Sequence, residues 1–246
     1  IRRPPRSTRK ESSAASDVYK RQLMYRLVYF SSPGRAEAIR IVLDISKLSW
    51  ENVIVDFSGY SEMRDSKKLP WGLLPALETP SGTLSESCAI LRYLGDMTYL
   101  KIDDEWQSAK VDECLDAISD MSNILTETFR INNIDEKIAA RKKLVDSGGK
   151  LSNCYDLFCE KLENSKTGWI AGTEKPSIAD IKLFSDCFGL VSGNYDGIDT
   201  SLLKERDALL DFHSKISVIP EISSRYEEMQ DDPLRWVYCQ NAFSNE

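Results

Sequence analysis

A single histidine, His213, is present in 246 residues. That scarcity removes most catalytic triads and histidine-ligated metal centres from consideration. The six cysteines (Cys88, Cys114, Cys154, Cys159, Cys187 and Cys239) form no C-x-x-C pair and no spacing that reads as a zinc site or a disulfide framework. They are expected to be reduced, mostly buried thiols. No run of eighteen apolar residues occurs, so no membrane span is expected, and no apolar core follows the basic start as a secretory signal requires. The expected compartment is the cytoplasm. His213 itself falls in Leu209-Leu210-Asp211-Phe212-His213-Ser214, the pattern of a late helix, where it is expected to be structural.

Basic charge is also in deficit, with 32 Lys and Arg against 39 Asp and Glu, a formal net charge of −7. The imbalance is sharper than that figure suggests. Residues 1–23 carry seven Lys/Arg and two Asp/Glu, which leaves 25 basic and 37 acidic residues, a charge of −12, from Met24 onward. An acidic body argues against nucleic acid and anionic membranes as partners. The first 23 residues show no apolar periodicity and are expected to be disordered. Their early Pro4-Pro5 pair and poor amphipathicity argue against a mitochondrial presequence. Their wording resembles translated adapter sequence, which points to Met24 as the natural start.

With 41% hydrophobic residues the remainder has ample material for a core, in one large or two modest domains. Apolar spacing predicts a strand at 25–30, a helix at 35–46 and a buried strand at 50–55, where Val53, Ile54 and Val55 run together. A mobile stretch is expected at 56–68. Leu69 to Glu78 follows, then a turn at Thr79-Pro80-Ser81-Gly82, a short strand at Thr83-Leu84 and a helix from Glu86. Beyond Leu100 the pattern turns helical. Glu105 to Ile131 places Val111, Leu115, Ile118, Met121 and Leu125 at helical steps, and Lys150 to Glu163 repeats the device. Ser177-Ile178-Ala179-Asp180 reads as a capping box that stabilises the fold. The expected organisation is a leader at 1–23, an α/β domain of βαβ-ββα order at 24–99, and an all-α helical bundle at 100–246.

Two short motifs carry chemistry. Leu74-Pro75 is an extended segment halted by proline, whose backbone groups suit a peptide-like ligand, and Glu86-Ser87 opens a helix whose hydroxyl and amide donors suit a carboxylate. Upstream, Tyr29 stands at the exit of the first strand, just before Ser31-Ser32-Pro33-Gly34-Arg35-Ala36-Glu37. From Met24 to about Trp236 the chain resembles the cytosolic glutathione transferases, most closely their sigma-like branch.

The resemblance implies a thioredoxin-like N-terminal domain, a homodimer and glutathione as the bound thiol, with hydrophobic electrophiles as second substrates. Tyr29 would donate to the glutathione sulfur, and Arg35 would support the thiolate beside it. Pro75 would be cis and would hold Leu74 so that its amide and carbonyl meet the cysteinyl unit. Ser87 would receive the γ-glutamyl carboxylate, and Glu86 would face the ligand's ammonium group. Tyr60, Lys67 and Lys68 are candidates for the glycyl carboxylate, and Asp120 for a contact to the ligand of the neighbouring subunit. Ser119 replaces the acidic partner next to it, so no metal is expected. Leu73 stands where relatives often carry lysine or glutamine. The electrophile pocket would draw on the C-terminal half of the Glu105 helix and on Trp236 and Tyr238, which read equally well as core.

Three alternatives stay open at this level: a glutathione-dependent isomerase of the prostaglandin-synthase type, a non-catalytic crystallin-like or scaffold relative, and a thiol-disulfide oxidoreductase. The last is disfavoured because Ser31 and Ser32 occupy the place of its cysteine.

Overall fold

The computed structural model describes residues 24–244, so the expected leader lies outside the described residues. These residues divide into two compact units, one holding the chain up to Ser31 with Lys47–Glu86, the other Ser32–Ser46 with the chain from Ser87 onward.

The first unit is built on a four-stranded sheet in the order β2-β1-β3-β4. Strands β1 (Tyr25–Tyr29) and β2 (Trp50–Ile54) run parallel, with Leu27 opposite Asn52 and Tyr29 opposite Ile54. Strands β3 (Ala76–Thr79) and β4 (Gly82–Ser85) continue the sheet antiparallel, with Leu77 aligned to Leu27 on one side and Leu84 on the other. This is the mixed sheet of a thioredoxin-like domain, as expected. Leu27 and Leu77, both inaccessible to solvent, centre its core.

Two expectations are corrected in this unit. The run Val53-Ile54-Val55 does not form a buried strand: β2 is the sheet's edge, and Ile54 is 59% exposed. β-branched residues favour strands at an edge as well as in a centre, so composition did not decide the position. The stretch after β2 is also not a loop. Phe57–Asp65 forms helix α2, capped by the Asp56 carboxylate, which accepts from the Gly59 amide at 2.8 Å. It buries none of its residues, so it lacks the apolar stripe by which a helix is read from sequence.

The second unit is helical. It contains α1 (Glu37–Ser46), α3 (Ser87–Gly95), α4 (Glu105–Ile124), α5 (Ile134–Val145), α6 (Lys150–Asn164), α7 (Ile178–Leu190), α8 (Asp207–Ser217) and α9 (Pro220–Tyr226), with 3₁₀ turns at Gly34–Ala36 and Leu125–Arg130. The long helix expected to run to Ile131 thus ends at Ile124 and tightens into a 3₁₀ segment.

Helix α7 is the hub. Eleven of its residues are buried, and the Ser177–Asp180 capping box closes its N-terminus. Asp180 accepts from the Ile170 amide, the Ser177 amide and the Ser177 hydroxyl at 2.8, 2.8 and 2.9 Å. Gly95 lets α3 approach this end closely, since a Cβ there would lie 2.6 Å from Ile178 Cγ2.

His213 packs among Phe184, Phe188 and Phe243 and pairs with the Val237 carbonyl at 2.8 Å. Burial lowers its pKa to about 4, so it stays neutral and structural. All six cysteines are free, and Cys114, Cys159, Cys187 and Cys239 are buried. Desolvation raises the Cys114 thiol to about 11 and also raises those of Cys154, Cys159, Cys187 and Cys239.

Candidate functional site

In the first unit, parallel pairing with β2 brings Tyr29 to the end of β1, where its carbonyl accepts from the Val55 amide at 3.0 Å. Its side chain is 9% exposed, and its ring meets Phe30 edge-on at 5.4 Å. Phe30 in turn touches Phe57 and Tyr60 of α2, at 5.3 and 5.9 Å between ring centroids. The Tyr60 hydroxyl donates to the Gly72 carbonyl at 2.9 Å. Tyr60 therefore braces the loop that delivers Leu74 and Pro75, with its proton committed to that task.

The Leu74–Pro75 peptide is cis, and Pro75 is buried. Pairing of β3 with both neighbours begins at Ala76, so Leu74 lies just outside the ladder. Lys67 and Lys68 are exposed beyond the C-terminal end of α2.

Strand β4 ends at Ser85, and Glu86 then adopts a left-handed backbone, φ 70°. A non-glycine residue held there costs about 1 kcal/mol or more. The reversal turns the chain from strand into helix in one residue, and α3 starts at Ser87 with no acidic side chain in its first turn. A helix N-terminus carries the positive end of the helix dipole and amides without an intrahelical partner, both of which favour an anion.

In the second unit, Gly34, with φ 45°, opens the 3₁₀ turn that carries Arg35, a conformation suited to glycine. One guanidinium nitrogen of Arg35 donates to Asn123 Oδ1 at 2.7 Å. The main chain of this turn is held by Arg40, which donates to the carbonyls of Ser32 and Pro33 at 3.2 and 3.3 Å. Arg40 is paired with Glu37 at 2.6 Å.

Asp120 is exposed on α4, one turn before Asn123, and its charge adds to the desolvation that raises the Cys154 thiol. The start of α3 is tied to α4 as well. Ser119 Oγ donates to the Leu115 carbonyl at 2.8 Å, so the Cys88 thiol is the donor in its 3.2 Å contact with Ser119. The structure thus gathers Tyr29 with Phe30, Tyr60 with the proline loop, and Arg35 with Asn123. Sequence reasoning missed Asn123, Glu37 and Arg40; only the i, i+3 spacing of Glu37 and Arg40 gave any signal.

Residues 26–96 match the glutathione S-transferase N-terminal domain. That domain is what this chain shares with the glutathione S-transferases. Relatives include the class-mu 28 kDa glutathione S-transferase isozyme of Schistosoma bovis, 26% identical over 165 residues, which cover 65% of this chain and 75% of the relative. Hematopoietic prostaglandin D synthase of Homo sapiens is 30% identical over 114 residues, 46% of this chain and 56% of that enzyme. Among solved structures, prostaglandin synthase D of Nilaparvata lugens superposes with a TM-score of 0.73 at 22% identity, covering 84% of this chain and 98% of that one. At that identity the superposition speaks for the fold.

Two further features of the chain bear on the expected electrophile pocket. Tyr238 is 1% exposed and donates its hydroxyl to the Ser185 carbonyl at 3.0 Å, so it is a core residue and not a pocket wall. Trp236 is partly buried and donates its indole nitrogen to the Ser192 carbonyl at 3.1 Å. Among the described residues, no group of three or more His, Cys, Asp or Glu side chains is placed to hold a metal.

Proposed function

We propose that this protein binds glutathione and activates its thiol as thiolate for conjugation to hydrophobic electrophiles. Tyr29 is the hydroxyl donor to the sulfur, and Arg35 is the supporting cation. Leu74, held by Pro75, pairs with the cysteinyl backbone. Ser87 and the first amides of α3 receive the γ-glutamyl carboxylate, and Glu86 faces its ammonium group. Lys67 and Lys68 remain the cationic candidates for the glycyl carboxylate, whereas Tyr60 acts by bracing the proline loop. Asp120 serves a ligand in the neighbouring subunit of a homodimer. The working division of the chain is 24–99 and 100–246, the compartment is the cytoplasm, and the role is detoxification.

The entry to α3 supports this reading most directly. A left-handed Glu86 delivers Ser87 to a helix N-terminus with no acid of its own in the first turn, which suits a ligand carboxylate.

A free thiol has a pKa near 8.5, so about a few per cent is thiolate at pH 7. Lowering it by roughly two units corresponds to about 2.7 kcal/mol of preference for the charged form. One aligned hydroxyl donor with a nearby guanidinium is of that order. The remaining acceleration comes from holding the two reactants together.

The test is turnover of glutathione with a chloronitrobenzene by the chain from Met24, alongside Tyr29→Phe. Expected is a loss of about 100-fold in kcat with glutathione binding retained. Equal activity in both proteins would refute Tyr29 as the donor. Binding without conjugation in the unaltered protein would favour an isomerase, and no binding at all a scaffold.

A further inference from the structure

Glu37 is fully buried at the start of α1, and side chains from three stretches of the chain converge on it. Arg40 approaches from its own helix at 2.6 Å. From α9, Tyr226 donates its hydroxyl to Glu37 Oε1 at 2.7 Å, and Arg225 Nε lies 3.5 Å from the same oxygen. From the tail, Arg235 Nε lies 3.8 Å away. The other charged groups of the cluster are Asp44, which pairs with Arg225 at 2.6 Å, and Asp232, which pairs with Arg235 at 3.2 Å. Three carboxylates thus face three guanidiniums, and the cluster is balanced.

We propose that this cluster is a latch through which the C-terminal segment, by way of Tyr226 and Arg235, positions the turn that carries Arg35. Tyr226 and Arg235 orient the Glu37 carboxylate, Glu37 fixes the Arg40 guanidinium, and Arg40 grips the Ser32 and Pro33 carbonyls that lead into Gly34–Ala36. The first residue of α1 closes the same turn, its amide donating to the Gly34 carbonyl.

A buried carboxylate that has lost one donor settles differently among those that remain, and Arg40 must follow it. The Arg35 side chain is anchored at its far end by Asn123, so movement of its backbone swings the guanidinium about that anchor. Glu37, Tyr226 and Arg235 are therefore positioning residues. They touch no ligand, and their effect on thiol activation rests on the proposed function above.

Tyr226→Phe keeps the ring and removes a single donor, and Arg235→Gln removes a charge at the periphery. Leu209→Val, in the core of α8, serves as a control that lowers stability without touching the cluster. Amide hydrogen exchange over residues 34–37 is the first readout. Exchange roughly tenfold faster there in both latch variants is expected, with the far end of α1 little changed. The second readout is the pH profile of glutathione conjugation, whose midpoint is expected to move upward in both variants and to stay fixed in Leu209→Val.

Exchange that rises no more than in the control would overturn the latch. Faster exchange with an unmoved pH profile would overturn its reach to the thiol. Faster exchange in a protein that never turns over glutathione would uphold the latch and refute the proposed function instead.

Discussion

Two helices of the second unit have a serine at the N-terminus, Ser177 as the cap before α7 and Ser87 as the first residue of α3, and the two ends are finished in different ways. At Ser177 the chain supplies its own anion: the Asp180 carboxylate gathers two amides and one hydroxyl, and the whole group is shut away from solvent. At Ser87 the chain arrives through a strained left-handed residue, and the first turn contains no acid. A helix start that satisfies itself stabilises the fold, whereas one left open has capacity for an external anion. A serine at a helix start therefore does not by itself fix what that terminus does; at α7 it is the Asp180 carboxylate that makes the end self-sufficient.

The largest effect is expected from Asp180→Ala. Removing that carboxylate strands several buried donors and is expected to cost about 3 kcal/mol or more. Thermal unfolding should show the loss, while the glutathione affinity of the remaining folded protein should be unchanged. A fall in affinity equal to that in stability would erase the distinction between the two termini.

Ser87→Ala is expected to act the other way round. Loss of one charge-assisted hydrogen bond should weaken glutathione binding by about tenfold, measured calorimetrically, with a smaller change in melting temperature than in Asp180→Ala. The smallest effect is expected from making the open terminus resemble the closed one. Ala89→Asp puts a carboxylate in the first turn of α3, where it competes with the ligand for the same amides. Affinity should fall roughly threefold as helix stability rises by a few tenths of a kcal/mol. Unaltered affinity would show that those amides do not serve the ligand.

The legible parts of the chain were those whose cause is local. Strand β1 and helix α1 announce themselves by apolar spacing, the α7 capping box by Ser177 and Asp180, and the α3 entry by Glu86-Ser87. Strand β2 was placed correctly along the chain but not in the sheet, because edge or centre depends on which strand pairs with which. Helix α2 escaped notice because a surface helix with no buried residue has no stripe to detect. The contacts around the Arg35 turn were beyond reach for a different reason. Asn123 and Arg35 are 88 positions apart, and Tyr226 and Glu37 are 189 apart. No window along the sequence contains either pair.

A protein that makes thiolate for attack on electrophiles runs the risk of alkylating itself. The buried cysteines bear directly on that risk. With the Cys114 thiol raised to about 11, roughly one molecule in ten thousand carries it as thiolate at pH 7. Cys154, Cys159, Cys187 and Cys239 are shifted in the same direction by desolvation. The reactive form of sulfur is thus withheld from most of the chain's own side chains; under the proposed function an incoming electrophile would find its nucleophile on the tripeptide, and the packing of the helical core would hold back self-inactivation.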